Sequence, residues 1–109
     1  MIRKITRQDV PAIRSFVQSV PGSWHESWRS DAIERGIASA NGLAFVWEEG
    51  TEILGFVCAH DVGFHGHVSV LVVAERARGK EIEKRLVEHV QNELTERGCL
   101  LLLTADVWE

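Results

Sequence analysis

The sequence predicts an α/β fold of the mixed α+β kind, in which an antiparallel meander of strands leads into one βαβ crossover. Two amphipathic helical segments precede three short β-rich segments that are separated by turn residues. A third and longer helical segment then ends at Gly98, before a continuous apolar run. Such a run is typical of a strand that is buried on both faces of a sheet.

The composition indicates one domain over residues 1–109 and excludes several classes of protein. Of the 109 residues, 45% are hydrophobic and 26% are charged, as in an ordinary globular domain. The net charge of −4 argues against a nucleic-acid-binding protein, whose footprint is usually basic. No apolar stretch has the length of a membrane span, and no signal segment is present. Cys58 and Cys99 lie in apolar runs without metal spacing, so we expect buried thiols in a cytoplasmic protein.

The N-terminal third predicts a strand and two helices. A short strand is expected over residues 1–5, and Thr6 with Asp9 then forms a variant of the capping box. Four apolar residues at helical spacing follow, and Pro21-Gly22 ends that helix. A second helix is expected from about residue 30 to residue 40, with Asn41-Gly42 as its stop signal. The four apolar residues are Val10, Ile13, Phe16 and Val17.

The middle of the chain predicts a meander, and the C-terminal part predicts the crossover. Strands are expected at 43–48, 53–60 and 67–73, with turns between them. A loop at 74–80 leads to a helix from about 81 to 97. The run CLLLLTA at 99–105 would then return as a parallel strand, which makes the connection a right-handed βαβ crossover.

The layout and two stretches of residues resemble the GNAT superfamily of acetyl-CoA-dependent N-acyltransferases. IRKITRQDVPAIRSF looks like the first strand and helix of the family, and LVVAERARGKEIEKRLVEHV is similar to its acyl-CoA-binding strand, turn and helix. The family pattern in that turn is Gln/Arg-x-x-Gly-x-Gly/Ala. Arg78 occupies the first position, whereas Glu81 and Glu83 stand at the two glycines.

The resemblance implies an acetyl-CoA site at this turn. A pyrophosphate can sit on the unpartnered amides at a helix start, where the helix dipole is positive. Leu71 and Val73 would pair their backbone with the pantetheine arm of the cofactor. The turn and helix residues that would supply amides or charge are Arg78, Gly79, Lys80, Ile82 and Lys84.

Glu81 and Glu83 leave two interpretations open. Like charges 4 Å apart repel by about 1 kcal/mol in water and about 4 kcal/mol at an effective dielectric of 20, so the acids would weaken cofactor binding. Acids in a first helical turn also stabilise a helix by roughly 0.3–1 kcal/mol each, so the stretch could be only a well-capped helix start.

Histidines around the third meander strand are candidates for chemistry. By the resemblance, a base that accepts the amine proton would lie early in this strand, and His67 is the candidate because imidazole exchanges protons near neutral pH. The alternative is a solvated turn histidine. His60, Asp61, His65 and His67 also suit zinc by type, but their spacing matches no motif, so no metal is expected.

The leading hypothesis is acyl transfer to a primary amine of a small molecule or a protein. Trp24 and Trp28 lie in a loop that would shape the acceptor pocket, or else they pack on the sheet. The second hypothesis is a catalytically impaired binding or interaction module. The family continues with a further helix and two strands, and a tyrosine in that part is its frequent general acid. This chain has no tyrosine and stops at Glu109. An uncovered strand edge at Leu100–Leu103 would then favour a homodimer, or a partner that completes the sheet.

Overall fold

The structure, a computed structural model, describes residues 1–79 and 81–99, and the backbone of residues 102–104. These residues form one five-stranded sheet with the strands in sequence order. The strands are β1 (Ile2–Lys4), β2 (Ala44–Glu49), β3 (Glu52–Asp61), β4 (Gly66–Val73) and β5 (Leu102–Thr104). The helices are α1 (Val10–Ser19), α2 (Ala32–Ala40) and α3 (Ile82–Glu96).

The strand directions confirm the predicted meander and crossover. The first four strands pair antiparallel with their neighbours, and β5 joins β4 in parallel after α3. The expected strand at 99–105 is therefore confirmed at 102–104. Cys99 is not part of it, and Leu100, Leu101 and Ala105 lie outside the described residues. None of the described helices combines the length and the apolar composition that a membrane span requires.

The helix boundaries follow the signals in the sequence with small shifts. Asp9 accepts a hydrogen bond from the backbone N–H of Thr6 at 2.7 Å, so the capping box holds a short 3₁₀ turn just before α1. The start of α2 lies at Ala32 and not near residue 30, because residues 29–32 form a turn in which Ala32 N–H bonds to the carbonyl of Arg29. Asn41 ends α2 in a left-handed conformation, as expected.

The helix α3 covers one face of the sheet. Its apolar stripe is almost fully buried, and two strand glycines let it come close. A Cβ atom on Gly55 would lie 2.9 Å from Leu86, and one on Gly66 would clash with three atoms of Leu94. The opposite face is covered by α1 and α2, and there the Cys58 thiol contacts the Gly36 carbonyl at 3.4 Å. The stripe consists of Ile82, Leu86, Val90 and Leu94.

An irregularity in β4 divides that strand into two halves. Val68 pairs with Ala59 and Val70 pairs with Cys58, so Ser69 between them is an extra residue, a β-bulge. Before the bulge, β4 pairs with β5 over Gly66–Val68. Beyond it, no described strand lies on that side of β4, and the edge is open.

The open edge of β4 presents backbone groups at alternate residues. Ala74 N–H donates to the carbonyl of Leu54 on the β3 side at 2.9 Å. Backbone groups alternate in direction along an antiparallel strand. The N–H and C=O groups of Leu71 and Val73 therefore point away from β3, toward the open edge.

Candidate functional site

A groove of about 510 Å³ follows the open half of β4. Its floor is the segment from Val70 to Val73, and its walls are the loop between α1 and α2 and the turn before α3. Residues that line it from the two walls are Pro21, Gly22, Ser23, His25, Trp28, Arg78 and Glu83. The groove thus joins a strand edge to a helix start.

The start of α3 offers backbone N–H groups to an anion. The first helical hydrogen bond runs from Arg85 N–H to the Glu81 carbonyl at 3.0 Å. The amides of Ile82, Glu83 and Lys84 precede that bond and have no intrahelical partner. Gly79 has φ +86°, and apart from its chain neighbours no described residue has an atom within 4 Å of where its Cβ would be, so a ligand can approach the backbone there. Arg78 adds a positive charge to the groove wall.

The two glutamates of the turn differ in position. Glu83 lines the groove. Glu81 lines a second cavity beside Met1 and Trp47, as does Lys84. Only one of the two acids therefore faces the groove. Glu81 also has φ +63°, in the left-handed region that favours glycine.

The other residues predicted for the cofactor site divide into three groups. Leu71 and Val73 have buried side chains, so only their backbone faces the groove. Ile82 is also buried, 2% exposed, and can contribute only its amide. Lys80 lies outside the described residues.

The two tryptophans of the 22–30 loop contact each other, with their ring centroids 5.3 Å apart in an edge-to-face arrangement. Trp28 lines the groove, and the ring of His25 lies 5.0 Å from it. Trp24 packs against the hydrophobic core. The sequence left open whether these residues line a ligand pocket or hold the loop down. In the structure, Trp28 is placed for the first role and Trp24 for the second.

The predicted base, His67, is half-buried on β4, directly opposite His60 on β3. It does not line the groove. His60 makes the polar contacts on this face, because its Nε2 lies 2.7 Å from Ser69 Oγ and its Nδ1 lies 3.1 Å from Ser39 Oγ. Sequence reasoning missed this cluster. Alternation along β3 does put Cys58 and His60 on one face, but the bulge that turns Ser69 toward them has no sequence signal.

A small cavity of about 130 Å³ lies between part of the cluster and the groove wall. It is lined by Cys58 and Ser69 from the cluster, and it shares Trp28 and Val70 with the groove. Burial raises the pKa of the Cys58 thiol to about 11, so this group is protonated at neutral pH and is a poor nucleophile. Within the described ranges, no three His, Cys, Asp or Glu side chains are grouped to hold a metal.

Comparison with known proteins gives a family and a set of similar folds. The sequence profile of the acetyltransferase (GNAT) family matches residues 10–108. No curated protein sequence matches the chain.

Solved structures match over nearly the whole chain at low sequence identity. Ard1 of Thermoplasma volcanium is 16% identical with a TM-score of 0.76, and the match covers 91% of this chain and 66% of that one. The ribosomal-protein-alanine N-acetyltransferase of Brucella melitensis is 21% identical with a TM-score of 0.72, covering 98% and 81%. N-acetylglutamate synthase of Neisseria gonorrhoeae, solved with coenzyme A and N-acetylglutamate, is 17% identical with a TM-score of 0.78, covering 95% and 24%. The chain thus spans less than two thirds of the first and third of these proteins.

Proposed function

Because the chain belongs to the acetyltransferase (GNAT) family, we propose that it transfers an acetyl group from acetyl-CoA to a primary amine. The observation that carries the proposal is the open half of β4, which runs along a groove to the unpartnered amides at the start of α3. A strand edge recognises an extended amide chain, and a helix start recognises an anion. Acyl-CoA contains both an extended amide chain and an anionic pyrophosphate.

Acyl-CoA would lie along the length of the groove. The pantetheine arm, which contains two amide groups, would pair with the outward-facing backbone of Leu71 and Val73. The pyrophosphate would sit at Gly79 and the amide of Ile82, with Arg78 beside it. Lys80 is proposed from the sequence as a further positive charge, whereas Lys84, also proposed from the sequence, lines the second cavity with Glu81. When bound, the cofactor supplies the activated acyl thioester.

The acceptor amine would enter from the 22–30 loop, where Trp28 lines both the groove and the smaller cavity. Similar folds occur in proteins whose names specify a protein alanine and glutamate as acceptors. We therefore propose a small-molecule or protein amine as the acceptor. Direct attack of the amine on the thioester needs a base to remove its proton. His67 is the base that the sequence proposes, and it lies two residues from the bulge at Ser69.

A second candidate function is a binding or interaction module that has lost turnover. Glu83 in the groove favours this alternative. For either function we propose a cytoplasmic protein that assembles as a homodimer, or with a partner at the sheet edge beyond β5. Light scattering that shows a clean monomer would remove the homodimer and leave the partner protein.

Isothermal titration calorimetry with acetyl-CoA tests the proposal. We expect saturable binding that Arg78→Ala weakens about tenfold, since a charge-assisted contact contributes about 1.5 kcal/mol or more. Arg76→Ala is the matched control, because Arg76 is two residues away and forms an ion pair with Glu52. No heat at millimolar acetyl-CoA would refute the acetyltransferase function. Release of CoA thiol in the presence of a panel of amines then separates the enzyme from the binding module.

A further inference from the structure

We propose that Ser69, His60 and Ser39 form a proton relay that carries the proton lost by the acceptor amine from the groove to the surface of α2. This proposal rests on the acetyltransferase function above and identifies further catalytic and positioning residues for that reaction. The three side chains come from β4, β3 and α2. They form an unbroken chain of contacts, 2.7 Å from Ser69 Oγ to His60 Nε2 and 3.1 Å from His60 Nδ1 to Ser39 Oγ.

The chain of hydrogen bonds can run in either direction with every donor satisfied. In one direction, Ser39 O–H donates to Nδ1, Nε2–H donates to Ser69 Oγ, and Ser69 O–H donates to the Cys58 carbonyl at 3.2 Å. In the other, Ser69 O–H donates to Nε2, Nδ1–H donates to Ser39 Oγ, and Ser39 O–H donates to the Gly36 carbonyl at 3.3 Å. The two directions correspond to the two neutral tautomers of His60. A chain with two satisfied states can pass a proton by switching between them.

The two ends of the relay lie where a proton must enter and leave. Ser69 is the extra residue of the bulge, at the point where β4 ceases to pair with β5, and it lines the small cavity that shares Trp28 and Val70 with the groove. Ser39 is exposed on α2. His60 lies between them and is half-buried.

The proton balance of acetyl transfer requires the export of one proton. The reaction consumes an ammonium ion and acetyl-CoA and yields an amide, the CoA thiol and one proton. An N–H bond of the ammonium breaks, and Ser69 Oγ receives that proton as its own hydroxyl proton passes to Nε2. The Nδ1 proton passes to Ser39, whose hydroxyl proton leaves to solvent. The neutral amine then forms the N–C bond as the C–S bond breaks, and its second proton ends on the CoA sulfur.

Few other polar groups surround His60 among the described residues. On its own strand, the Cys58 thiol lies 3.9 Å from Nε2. On β4, its cross-strand partner is His67. Among its described contacts, α2 presents only the Ser39 hydroxyl, beside the Gly36 carbonyl.

The tautomer of His60 tests the relay without any acceptor. In long-range ¹H–¹⁵N spectra of the whole protein, Ser39→Ala removes the acceptor of Nδ1–H, so we expect a shift toward the Nε2–H tautomer. Ser69→Ala removes the acceptor of Nε2–H and should shift the populations in the opposite direction. Ser19→Ala is the matched control, because Ser19 is also an exposed helical serine bonded to the carbonyl three residues earlier. Tautomer populations that do not move in opposite directions overturn the relay.

Kinetics with an acceptor found in the amine panel test the catalytic role. We expect His60→Gln and Ser69→Ala to lower kcat/KM about 100-fold at pH 7, the usual contribution of a positioned acid or base. The loss of kcat/KM should become smaller as the pH approaches the pKa of a free amine, about 10, because the amine is then already neutral when it binds. A purely structural role would give a loss that does not depend on pH in this way.

His67→Gln separates the relay from the base proposed from the sequence. If the pH-dependent loss occurs in His67→Gln and not in His60→Gln, the relay is wrong and the acetyltransferase function stands. If the tautomer shifts occur but the wild type binds no acetyl-CoA, the proposed function is wrong, and the relay loses its catalytic role with it. The relay is supported when both the opposite tautomer shifts and the loss in His60→Gln are observed.

Discussion

Glu81 and Glu83 stand two residues apart at the start of α3, yet they line different cavities. Glu83 lines the groove along β4, whereas Glu81 lines the cavity beside Met1 and Trp47. The left-handed backbone at Glu81 separates them, because it precedes the first helical residue and turns the chain. The two acids at the family's glycine positions therefore have different physical consequences.

Glu83 should oppose binding of an anionic cofactor, and Glu81 should not. We expect Glu83→Gln to tighten acetyl-CoA binding about fivefold, since a like-charge contact costs about 1 kcal/mol at solvent-exposed distances. Glu81→Gln is the matched control and should change the affinity less than twofold. Calorimetry measures both, and equal effects from the two variants would contradict the separation of the side chains.

The left-handed backbone at Glu81 should be strained, and a glycine at this position should relieve the strain. A non-glycine residue in the left-handed region costs about 1–2 kcal/mol, so Glu81→Gly should raise the free energy of unfolding by about 1 kcal/mol. Glu83→Gly lies inside the helix and should lower it by about the same amount. Urea denaturation measures both changes. A destabilised Glu81→Gly variant would show that its side chain outweighs the backbone strain.

Gly66 should tolerate no side chain, because α3 lies directly on it. A methyl group there would clash with Leu94, and we expect Gly66→Ala to destabilise the protein by about 1–3 kcal/mol. The loss should be less than additive with Leu94→Ala, which removes the clashing atoms. Gly36→Ala in α2 is the control, because its Cβ would meet only the Cys58 sulfur at 4.0 Å. Additive losses for Gly66 and Leu94 would contradict this packing.

Asp9 should make stability depend on acid pH. Arg3 donates two hydrogen bonds of 2.9 Å to its carboxylate, and this contact lowers the pKa of Asp9 well below its ordinary value. Because this pKa is lower in the folded chain than in the unfolded chain, the ionised carboxylate stabilises the fold when the pH is above the pKa of the unfolded chain, about 4. This contribution is lost as the pH falls below that value. The Asp9 side chain is only 15% exposed, so Asp9→Asn should cost about 1.5–3 kcal/mol at pH 7.

The difference between wild type and Asp9→Asn should narrow as the pH falls from 4 to 2. Urea denaturation across this range measures it. Asp31→Asn is the comparison, because Asp31 forms an exposed ion pair with Arg29, and such pairs contribute little. A difference that stays constant with pH would mean that the Arg3 contact does not set the pKa of Asp9.

The order and type of the helices and strands could be predicted because the cap and turn residues agree with the spacing of the apolar residues. The stripe from Ile82 to Leu94 and the glycine at 98 define α3, and the register of the meander follows from turns of two to four residues. The start of α2 was predicted two residues early, because Ser30 and Asp31 both suit a helix cap and only the tertiary fold decides between them.

The site could be predicted only where it depends on the backbone. The family resemblance implied Leu71, Val73 and Gly79; Leu71 and Val73 line the groove, and Gly79 follows Arg78 of its wall. The direction of a side chain depends on torsion angles that no pattern fixes. The sequence could not separate Glu81 from Glu83, and it could not find Ser69 beside His60, because one unpaired residue in β4 changes which side chains meet.

The most direct test of the central claim is an amide ¹H–¹⁵N NMR titration of the protein with acetyl-CoA. If the cofactor lies along the open edge of β4 and on the start of α3, the amides of Leu71, Val73, Gly79 and Ile82 should show the largest saturable shifts. Amides of β2, on the far side of β3, should scarcely move. Shifts that saturate elsewhere, or no shifts at millimolar acetyl-CoA, would contradict the account.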